Sequence, residues 1–246
     1  MLNRQRSRYV VVVVGNKGVG VSSTINLIAN YPVSTTSPDT VALRHMRKAN
    51  GCPAEVAHTN IGVATDGNTL PHLVSLYEMP GFEGTVRDYK VIKSIHRLHD
   101  KVGIDLVLYC TKHPHKGLPG TCKKLRGALQ NVRFGAVVTG LERETSMKDW
   151  WTSRSTGRGD PDASNGATLE GRLGLSFDNY VCVTTLGEDQ VGHHPKLLKQ
   201  RKESQIQLWA LICRHCDENE KRPGLPFWKY YITVVVLNKR VPVSSR

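Results

Sequence analysis

Five consecutive valines, Val10 to Val14, run directly into a glycine-rich turn and constrain the fold more than any other stretch. The β-branched run predicts a buried strand. The turn contains Gly15, Gly18 and Gly20, and apolar residues at helical spacing follow it. Small residues in such a turn let successive backbone amides point at one anion beside the positive end of a helix. The stretch therefore predicts a strand, a phosphate-binding loop and a helix over residues 20–30.

The loop matches the Walker A pattern G-x-x-x-x-G-K-[ST] at Gly15, Gly20 and Ser22, but Val21 stands at the lysine position. That lysine normally reaches the β- and γ-phosphates as a point charge. Valine has neither the length nor the charge, so we expect weakened nucleotide binding. Lys17, at the third position of the loop, is the cation that we expect to compensate. The alternative is an ordinary solvated lysine.

The bulk composition limits the classes of partner. The 246 residues carry a net charge of +13, which favours polyanionic partners. Aromatic residues make up 7% and are not interleaved with the basic ones, so no specific nucleic-acid binding is expected.

Cys110 and Cys182 lie in apolar, strand-like runs, which favours buried reduced thiols and an intracellular compartment. With no apolar run of spanning length, we expect a cytoplasmic protein, membrane-peripheral if its tail binds lipid.

Two further segments are candidates for contacts with Mg²⁺ and the γ-phosphate. The Ser/Thr/Pro-rich segment 33–40 reads as a loop, and Thr40 is its candidate metal contact. The apolar strand 72–77 runs into Glu78, and Gly81 follows three residues later. P-loop nucleotidases place a Mg²⁺-binding acid at this position, although it is normally the shorter aspartate. The alternative is a purely structural strand-to-turn tetrapeptide.

The rest of the chain alternates between helical and strand patterns. This order predicts an α/β fold of the three-layer P-loop NTPase type, with a mostly parallel sheet and helices on both faces. The predicted elements are helix 87–101, strand 104–110, helix 118–131, strand 134–139, strand 180–187 and helix 196–213.

A candidate base-reading loop follows strand 134–139, in the sequence Thr139-Gly140-Leu141-Glu142. A carboxylate at this edge of the sheet can accept hydrogen bonds from both the ring N–H and the exocyclic amine of guanine. Thr139 and Glu142 are therefore candidate guanine contacts. The alternative is a helix N-cap followed by an acidic residue.

The remaining segments set the predicted boundaries. Residues 1–8 form a basic arm, residues 9–215 the P-loop domain, and residues 216–246 a tail. Composition predicts a flexible surface insert at about 150–170, in which Trp150 and Trp151 either contact a partner or belong to the core. The apolar stretch 225–237 is shorter than the ~20 residues of a spanning helix. It predicts an extra edge strand, with an interfacial anchor as the alternative.

The motifs together resemble those of septin-related GTPases, the group that includes the immunity-associated and plastid-import-receptor proteins. Resemblance covers residues 9–213 and is carried by G-N-K-G-V-G-V-S-S-T-I-N-L-I, L-Y-E-M-P-G-F, I-D-L-V-L-Y-C and V-V-T-G-L-E. It implies a domain that binds GTP or GDP with Mg²⁺, with Ser22 as a Mg²⁺ ligand, Glu78 and Gly81 as the switch acid and glycine, and Thr139 and Glu142 as guanine contacts. It also implies phosphate-loop roles for Gly15, Asn16, Lys17, Gly18, Val19, Gly20, Val21, Ser22 and Ser23.

Hydrolysis is less strongly predicted than binding. Small GTPases place a glutamine after the switch glycine to orient the attacking water, and Phe82 stands there in this chain. Members of the resembled family also carry an apolar residue at this position and commonly use a paired subunit, which makes a homodimer or another protein partner an expectation. Two hypotheses follow: a guanine-nucleotide switch with slow or absent hydrolysis, and a nucleotide-independent pseudo-GTPase scaffold.

Overall fold

A computed structural model describes residues 8–29, 57–64, 72–113, 118–144, 146–155, 162–220 and 233–236. Its strands are β1 (Arg8–Gly15), β2 (Ala57–Ala64), β3 (His72–Glu78), β4 (Leu106–Lys112), β5 (Arg133–Thr139), β6 (Asn179–Cys182) and β7 (Thr233–Val236). Its helices are α1 (Val21–Ala29), α2 (Val86–Val102), α3 (Pro119–Ala128), α4 (Asn165–Leu173), α5 (Glu188–Val191) and α6 (Pro195–Glu220).

The strands form one sheet in the order β6-β5-β4-β1-β3-β2-β7. β1 pairs in parallel with both β3 and β4, and the parallel arrangement continues through β5 to β6. β2 is antiparallel to its neighbours β3 and β7. The carboxyl ends of β1, β3, β4 and β5 therefore meet at one edge, where loops in parallel α/β sheets gather their ligands.

Helices cover both faces of the sheet, and each face has its own apolar core. On one face, α2, α3 and α4 pack over β1 and β4 through residues such as Ile95, Leu125 and Leu173. On the other face, α1 and α6 pack through residues such as Ile25 and Leu208. The alternating valines of β1 supply both cores, which is why this strand is buried on both sides. The predicted three-layer α/β fold is confirmed.

Within the predicted insert at about 150–170, the residues that the structure describes include two buried tryptophans and most of α4. Trp150 and Trp151 are 7% and 9% exposed and belong to the core, the second of the two alternatives. Ser164 caps α4 by accepting from the amide of Ala167. A Cβ on Gly166 would lie 2.2 Å from the Trp151 Nε1 atom. The small polar residues thus serve a helix cap and a close helix–indole contact.

The tail is partly as predicted. β7, within the apolar stretch 225–237, forms the edge strand of the sheet. α6 continues past the predicted boundary at residue 215 to Glu220, and the boundary itself stays a prediction. No helix in the described part of the chain is long and apolar enough to cross a bilayer. Thr40 and most of the basic arm lie outside the described residues.

Candidate phosphate-binding site

The glycines of the loop between β1 and α1 are required by its backbone. Gly18 and Gly20 have φ angles of +80° and +93°, which favour glycine over residues that carry a Cβ. A Cβ on Gly15 would lie 2.4 Å from the carbonyl oxygen of Cys110 on the neighbouring strand. Burial raises the pKa of the Cys110 thiol to about 12, so the group beneath the loop is neutral. The loop is therefore folded closely over the end of β4.

The loop and the first turn of α1 present a set of unused amide donors. Two loop amides are bonded within the protein: Lys17 N–H donates to the Phe82 carbonyl at 2.9 Å, and Val19 N–H donates to the Asn16 carbonyl at 3.3 Å. In the described part of the chain, five others have no protein acceptor, those of Gly18, Gly20, Val21, Ser22 and Ser23. Amides at a helix N-terminus are a binding site for anions.

Side chains from β4 and β5 hold the loop in place. Thr139 is 2% exposed, and its hydroxyl donates to the Val19 carbonyl at 2.8 Å. The Tyr109 hydroxyl donates to Asn16 Oδ1 at 3.3 Å and accepts from the Cys122 thiol at 3.1 Å. Since this thiol belongs to α3, the contacts connect the loop to the helical layer on one face of the sheet. The predicted guanine contact Thr139 thus has a structural partner in the loop itself.

The segment after β3 packs directly against the loop. Phe82 N–H donates to the Gly15 carbonyl, and its own carbonyl accepts from Lys17 N–H, both at 2.9 Å. A Cβ on Gly81 would lie 2.7 Å from the Cα of Lys17. Phe82 itself is 1% exposed and fills the core. The second predicted motif therefore requires glycine at position 81 because the loop backbone passes beside it.

Lys17 forms an ion pair with the segment that follows Gly81. Its ammonium lies 2.9 Å from the carboxylate of Glu83, two residues after Gly81. This hydrogen bond and the charge of Lys17 lower the pKa of Glu83 below its usual value. The pair is largely exposed, at 65% and 31% for the two side chains. An exposed ion pair is weak, so Lys17 can exchange Glu83 for a stronger anion.

The carboxylate of Asp88 holds the Glu83 segment in position. Asp88 is 5% exposed and accepts from the amides of Glu83 and Gly84, each at 3.0 Å. It also accepts from the Thr121 hydroxyl at 2.9 Å, which connects the start of α2 to α3. Thr85 caps α2 by accepting from the amide of Arg87. Glu83 is therefore presented to Lys17 from an ordered turn.

Two of the three predicted Mg²⁺ ligands are in direct contact, because the Ser22 hydroxyl donates to a carboxylate oxygen of Glu78. A hydroxyl and a carboxylate are hard oxygen ligands of the kind that Mg²⁺ binds, together with phosphate oxygens and waters. The described residues hold no cluster of three His, Cys, Asp or Glu side chains. The Ser22 hydroxyl and the Glu78 carboxylate therefore fit a Mg²⁺ ion that is also bound by nucleotide phosphates, rather than a metal site made of protein ligands alone.

Val21 has an environment that differs from that of a phosphate-binding lysine. Its side chain is 8% exposed and packs in the same apolar cluster as Val19, Ile25 and Cys110. The missing charge is therefore replaced by a packed apolar contact.

The candidate base-reading loop follows β5 and is bonded to the segment that follows β6. Glu142 accepts from the hydroxyl of Thr184 at 2.9 Å, and Thr184 is fully buried. Gly140, at the lysine position of the usual base-reading motif, has a φ of +79°. A Cβ there would lie 2.9 Å from Cγ of Lys112, whose aliphatic chain occupies this space. A lysine from the adjacent strand thus lies where the motif lacks one.

Sequence reasoning missed Glu83, Lys112 and Thr184. The predicted strand 104–110 ends two residues before Lys112, which is the last residue of β4. The register of the parallel strands pairs it with Thr139, so a sheet order deduced from the sequence would have placed them together. Glu83 and Thr184 contact residues 66 and 42 positions away, and no local pattern marks such pairs.

Comparisons with known proteins support the fold. No family model matches the sequence, and no curated protein matches it. Era from Aquifex aeolicus bound to GDP and aluminium fluoride is similar at a TM-score of 0.50 and 14% identity, over 92% of this chain and 61% of that chain. Era in complex with MgGDPNP and a segment of 16S ribosomal RNA gives a TM-score of 0.51 at 14% identity, over 89% and 58%. This chain therefore spans about three fifths of those Era chains.

Toc33 from Arabidopsis thaliana in complex with GDP and Mg²⁺ is also similar, with a TM-score of 0.44 at 14% identity over 74% of this chain and 72% of that chain. Similarity at this level does not separate one group of G domains from another. The chain has the three-layer P-loop fold of the G domains, and the finer resemblance to septin-related GTPases stays a prediction.

Proposed function

We propose that this chain is a guanine-nucleotide-binding G domain that binds GTP or GDP with Mg²⁺ and hydrolyses GTP slowly or not at all. The proposal depends on one observation, the five amides around the start of α1 that have no acceptor in the described protein. The Era structures of the same fold contain guanine nucleotides or their analogues, which supports the choice of ligand.

Phosphate binding in this proposal uses the loop amides together with Lys17. The amides supply direct hydrogen bonds, and the N-terminus of α1 supplies a partial positive charge. Lys17 leaves Glu83 and pairs with the terminal phosphate, a stronger anion than one exposed carboxylate. Ser22 and Glu78 are the residues that would hold Mg²⁺, which neutralises phosphate charge when bound.

Base recognition in this proposal uses Glu142. One of its oxygens accepts from Thr184, and an ionised carboxylate has about four acceptor sites in all. The remaining sites can accept from the ring N–H and exocyclic amine of guanine, whereas adenine lacks this donor pair. Lys112, beside Gly140, supplies an aliphatic chain next to the same loop.

Slow hydrolysis follows from the residues near the phosphate site. The position that carries a water-orienting glutamine in small GTPases holds Phe82, which is buried. Val21 contributes no charge to stabilise the transferring phosphoryl group.

Calorimetric titration of the full chain with GTP, GDP and ATP in Mg²⁺ tests this function. We expect GTP and GDP to bind more tightly than ATP. Ser22→Ala should weaken Mg²⁺-dependent binding by at least about 10-fold, since a metal-site contact is lost. Ser94→Ala removes a hydroxyl that donates to the Lys90 carbonyl on α2 and is the matched control. Equal binding of all three nucleotides, or an unchanged Ser22→Ala protein, would contradict the proposal.

A second candidate is a pseudo-GTPase scaffold that acts through protein contacts without nucleotide. The packing of Val21 in the apolar cluster favours it, because the loop is stabilised without an ammonium group. Thermal unfolding separates the two functions. If millimolar GTP with Mg²⁺ produces no shift and Val21→Lys restores one, the scaffold function stands and the nucleotide function fails. Sedimentation velocity with and without nucleotide tests the expected homodimer.

A further inference from the structure

The water-facing side of α2 carries a stripe of positive charge. The helix packs into the core through Val91, Ile92, Ile95 and Leu98. On the opposite side are five exposed cations, here called the basic stripe: Arg87, Lys90, Lys93, Arg97 and Lys101. At 3.6 residues per turn and 1.5 Å per residue, they fall within an arc of about 120° and extend over about 21 Å. The helix thus presents one continuous cationic surface.

The described protein leaves most of this charge uncompensated. Among the described residues, no carboxylate lies within ion-pair distance of Lys90, Lys93 or Arg97, and Arg87 interacts with the charge of Glu83 without a close ion pair. The acids of α2 have other partners: Asp88 is buried against backbone amides, and Asp100 pairs with His96 at 2.9 Å. Residues 86–128 contain ten lysines and arginines and only three acidic residues. This part of the chain is a major source of the net charge of +13.

Two large apolar side chains are exposed to solvent at the N-terminal end of the basic stripe. Val86 is 83% exposed and Tyr89 is 62% exposed, more than any other large hydrophobic residue in the described ranges. Val86 falls within the arc of the basic stripe, and Tyr89 lies beside it. Apolar groups contribute little to phosphate binding in water, so their position beside the cations favours a partner that is both anionic and apolar.

We propose that the basic stripe, together with Val86 and Tyr89, is a docking surface for an anionic lipid bilayer. A helix that lies along the protein surface can place its lysines and arginines against lipid phosphates and carboxylates. Tyrosine and apolar side chains favour the headgroup–acyl boundary directly beneath them. A nucleic acid would use the cations but not Val86, and a single tyrosine is not a stacking platform. The bilayer therefore accounts for both features of the surface.

Vesicle co-sedimentation of the full chain tests the proposal. The vesicles are phosphatidylcholine alone, or phosphatidylcholine with about 30% phosphatidylserine to give an anionic surface. We expect binding to the anionic vesicles only. The triple variant Lys90→Gln, Lys93→Gln, Arg97→Gln should bind about 100-fold more weakly, from the loss of three cations at the surface.

A matched variant changes three exposed lysines of α6, Lys196→Gln, Lys199→Gln and Lys202→Gln, and loses the same net charge. We expect it to weaken binding by less than about 3-fold, since its charges lie away from the stripe and are screened. Equal losses in the two triple variants would overturn the assignment to α2. All substituted side chains are exposed, and circular dichroism with thermal unfolding confirms that each variant is folded.

A final variant distinguishes binding to a bilayer from binding to a nucleic acid. Val86→Ser with Tyr89→Ser removes apolar contact and leaves every charge in place. We expect it to reduce vesicle binding and to leave any binding to duplex DNA or RNA unchanged. The proposal is overturned if vesicle binding is unaffected by this variant, or if the wild-type chain binds nucleic acid but not anionic vesicles.

Discussion

The contact between Thr139 and the phosphate loop gives the sharpest prediction about a single side chain. The Thr139 hydroxyl donates to the Val19 carbonyl at 2.8 Å in a site where both residues are buried. Thr139→Val removes the hydroxyl at nearly constant volume. The loop then loses the side-chain contact that connects it to β5.

The expected cost follows from the burial of the acceptor. Without its donor, the buried Val19 carbonyl should lower the free energy of unfolding by about 1–3 kcal/mol, because water cannot replace the lost partner. Domains are commonly stable by about 5–15 kcal/mol, so this loss is readily measured. Since the loop serves the phosphates of every nucleotide, we expect the affinities for GTP and ATP to fall by the same factor.

Urea unfolding and calorimetry measure these two effects. Thr152→Val is the control, because Thr152 is exposed and donates to the Asp149 carbonyl at 3.1 Å. We expect the control to change the free energy of unfolding by less than about 0.5 kcal/mol. The reasoning is refuted if Thr139→Val leaves stability unchanged and weakens GTP binding alone, since that result belongs to a direct contact with guanine.

Three further changes test the loop and the end of α6. Val21→Lys should increase the affinity for GTP in calorimetry but lower the free energy of unfolding by about 1.5–3 kcal/mol, because a buried apolar side chain is lost. Glu83→Gln should increase the affinity for GTP relative to GDP by releasing Lys17, and a Lys17→Ala background should abolish the gain. Burial and the charge of Arg133 lower the pKa of His215 from 6.5, so the unfolded chain binds its proton more readily. The contribution of His215 to the free energy of unfolding should therefore be fully present above pH 6.5 and decrease as the pH falls towards the folded-state pKa. His215→Gln should reduce the pH dependence of the free energy of unfolding, measured with urea, in this range.

The strand–loop–helix start was predictable because its determinants are local. Five adjacent valines can be satisfied by a strand with two buried faces, and positive φ angles at Gly18 and Gly20 account for the glycine spacing. Strands and helices then alternate along the chain, which limits the topology to a small number of parallel arrangements. The fold class followed from these features alone.

The region around Trp150 and Trp151 could not be predicted in the same way. Its serines, glycines and aspartates have the composition of a surface insert, whereas the structure uses Ser164 as a helix cap and Gly166 for contact with an indole ring. The burial of Trp151 depends on α4 and on Tyr180, which stacks on it at 4.6 Å. Composition does not show which distant residues will cover a tryptophan.

The candidate site shows the same division between local and long-range information. The sequence predicted Ser22 and Glu78 as Mg²⁺ contacts, and the structure brings their side chains into contact. It gave no indication that Lys17 pairs with Glu83 in the following motif. That pairing depends on Gly81 lying against the loop backbone, a consequence of the pairing of β1 with β3.

The central claim is that the loop from Gly15 to Ser23 binds polyphosphate through its own amides although Val21 replaces the usual lysine. The most direct test is a two-dimensional ¹⁵N–¹H NMR titration of the full chain with Mg²⁺ and GDP. We predict that the amide resonances of Gly18, Gly20, Val21, Ser22 and Ser23 shift most strongly, while the exposed face of α2 is unaffected. A folded protein in which these five resonances do not move at millimolar GDP would contradict the account.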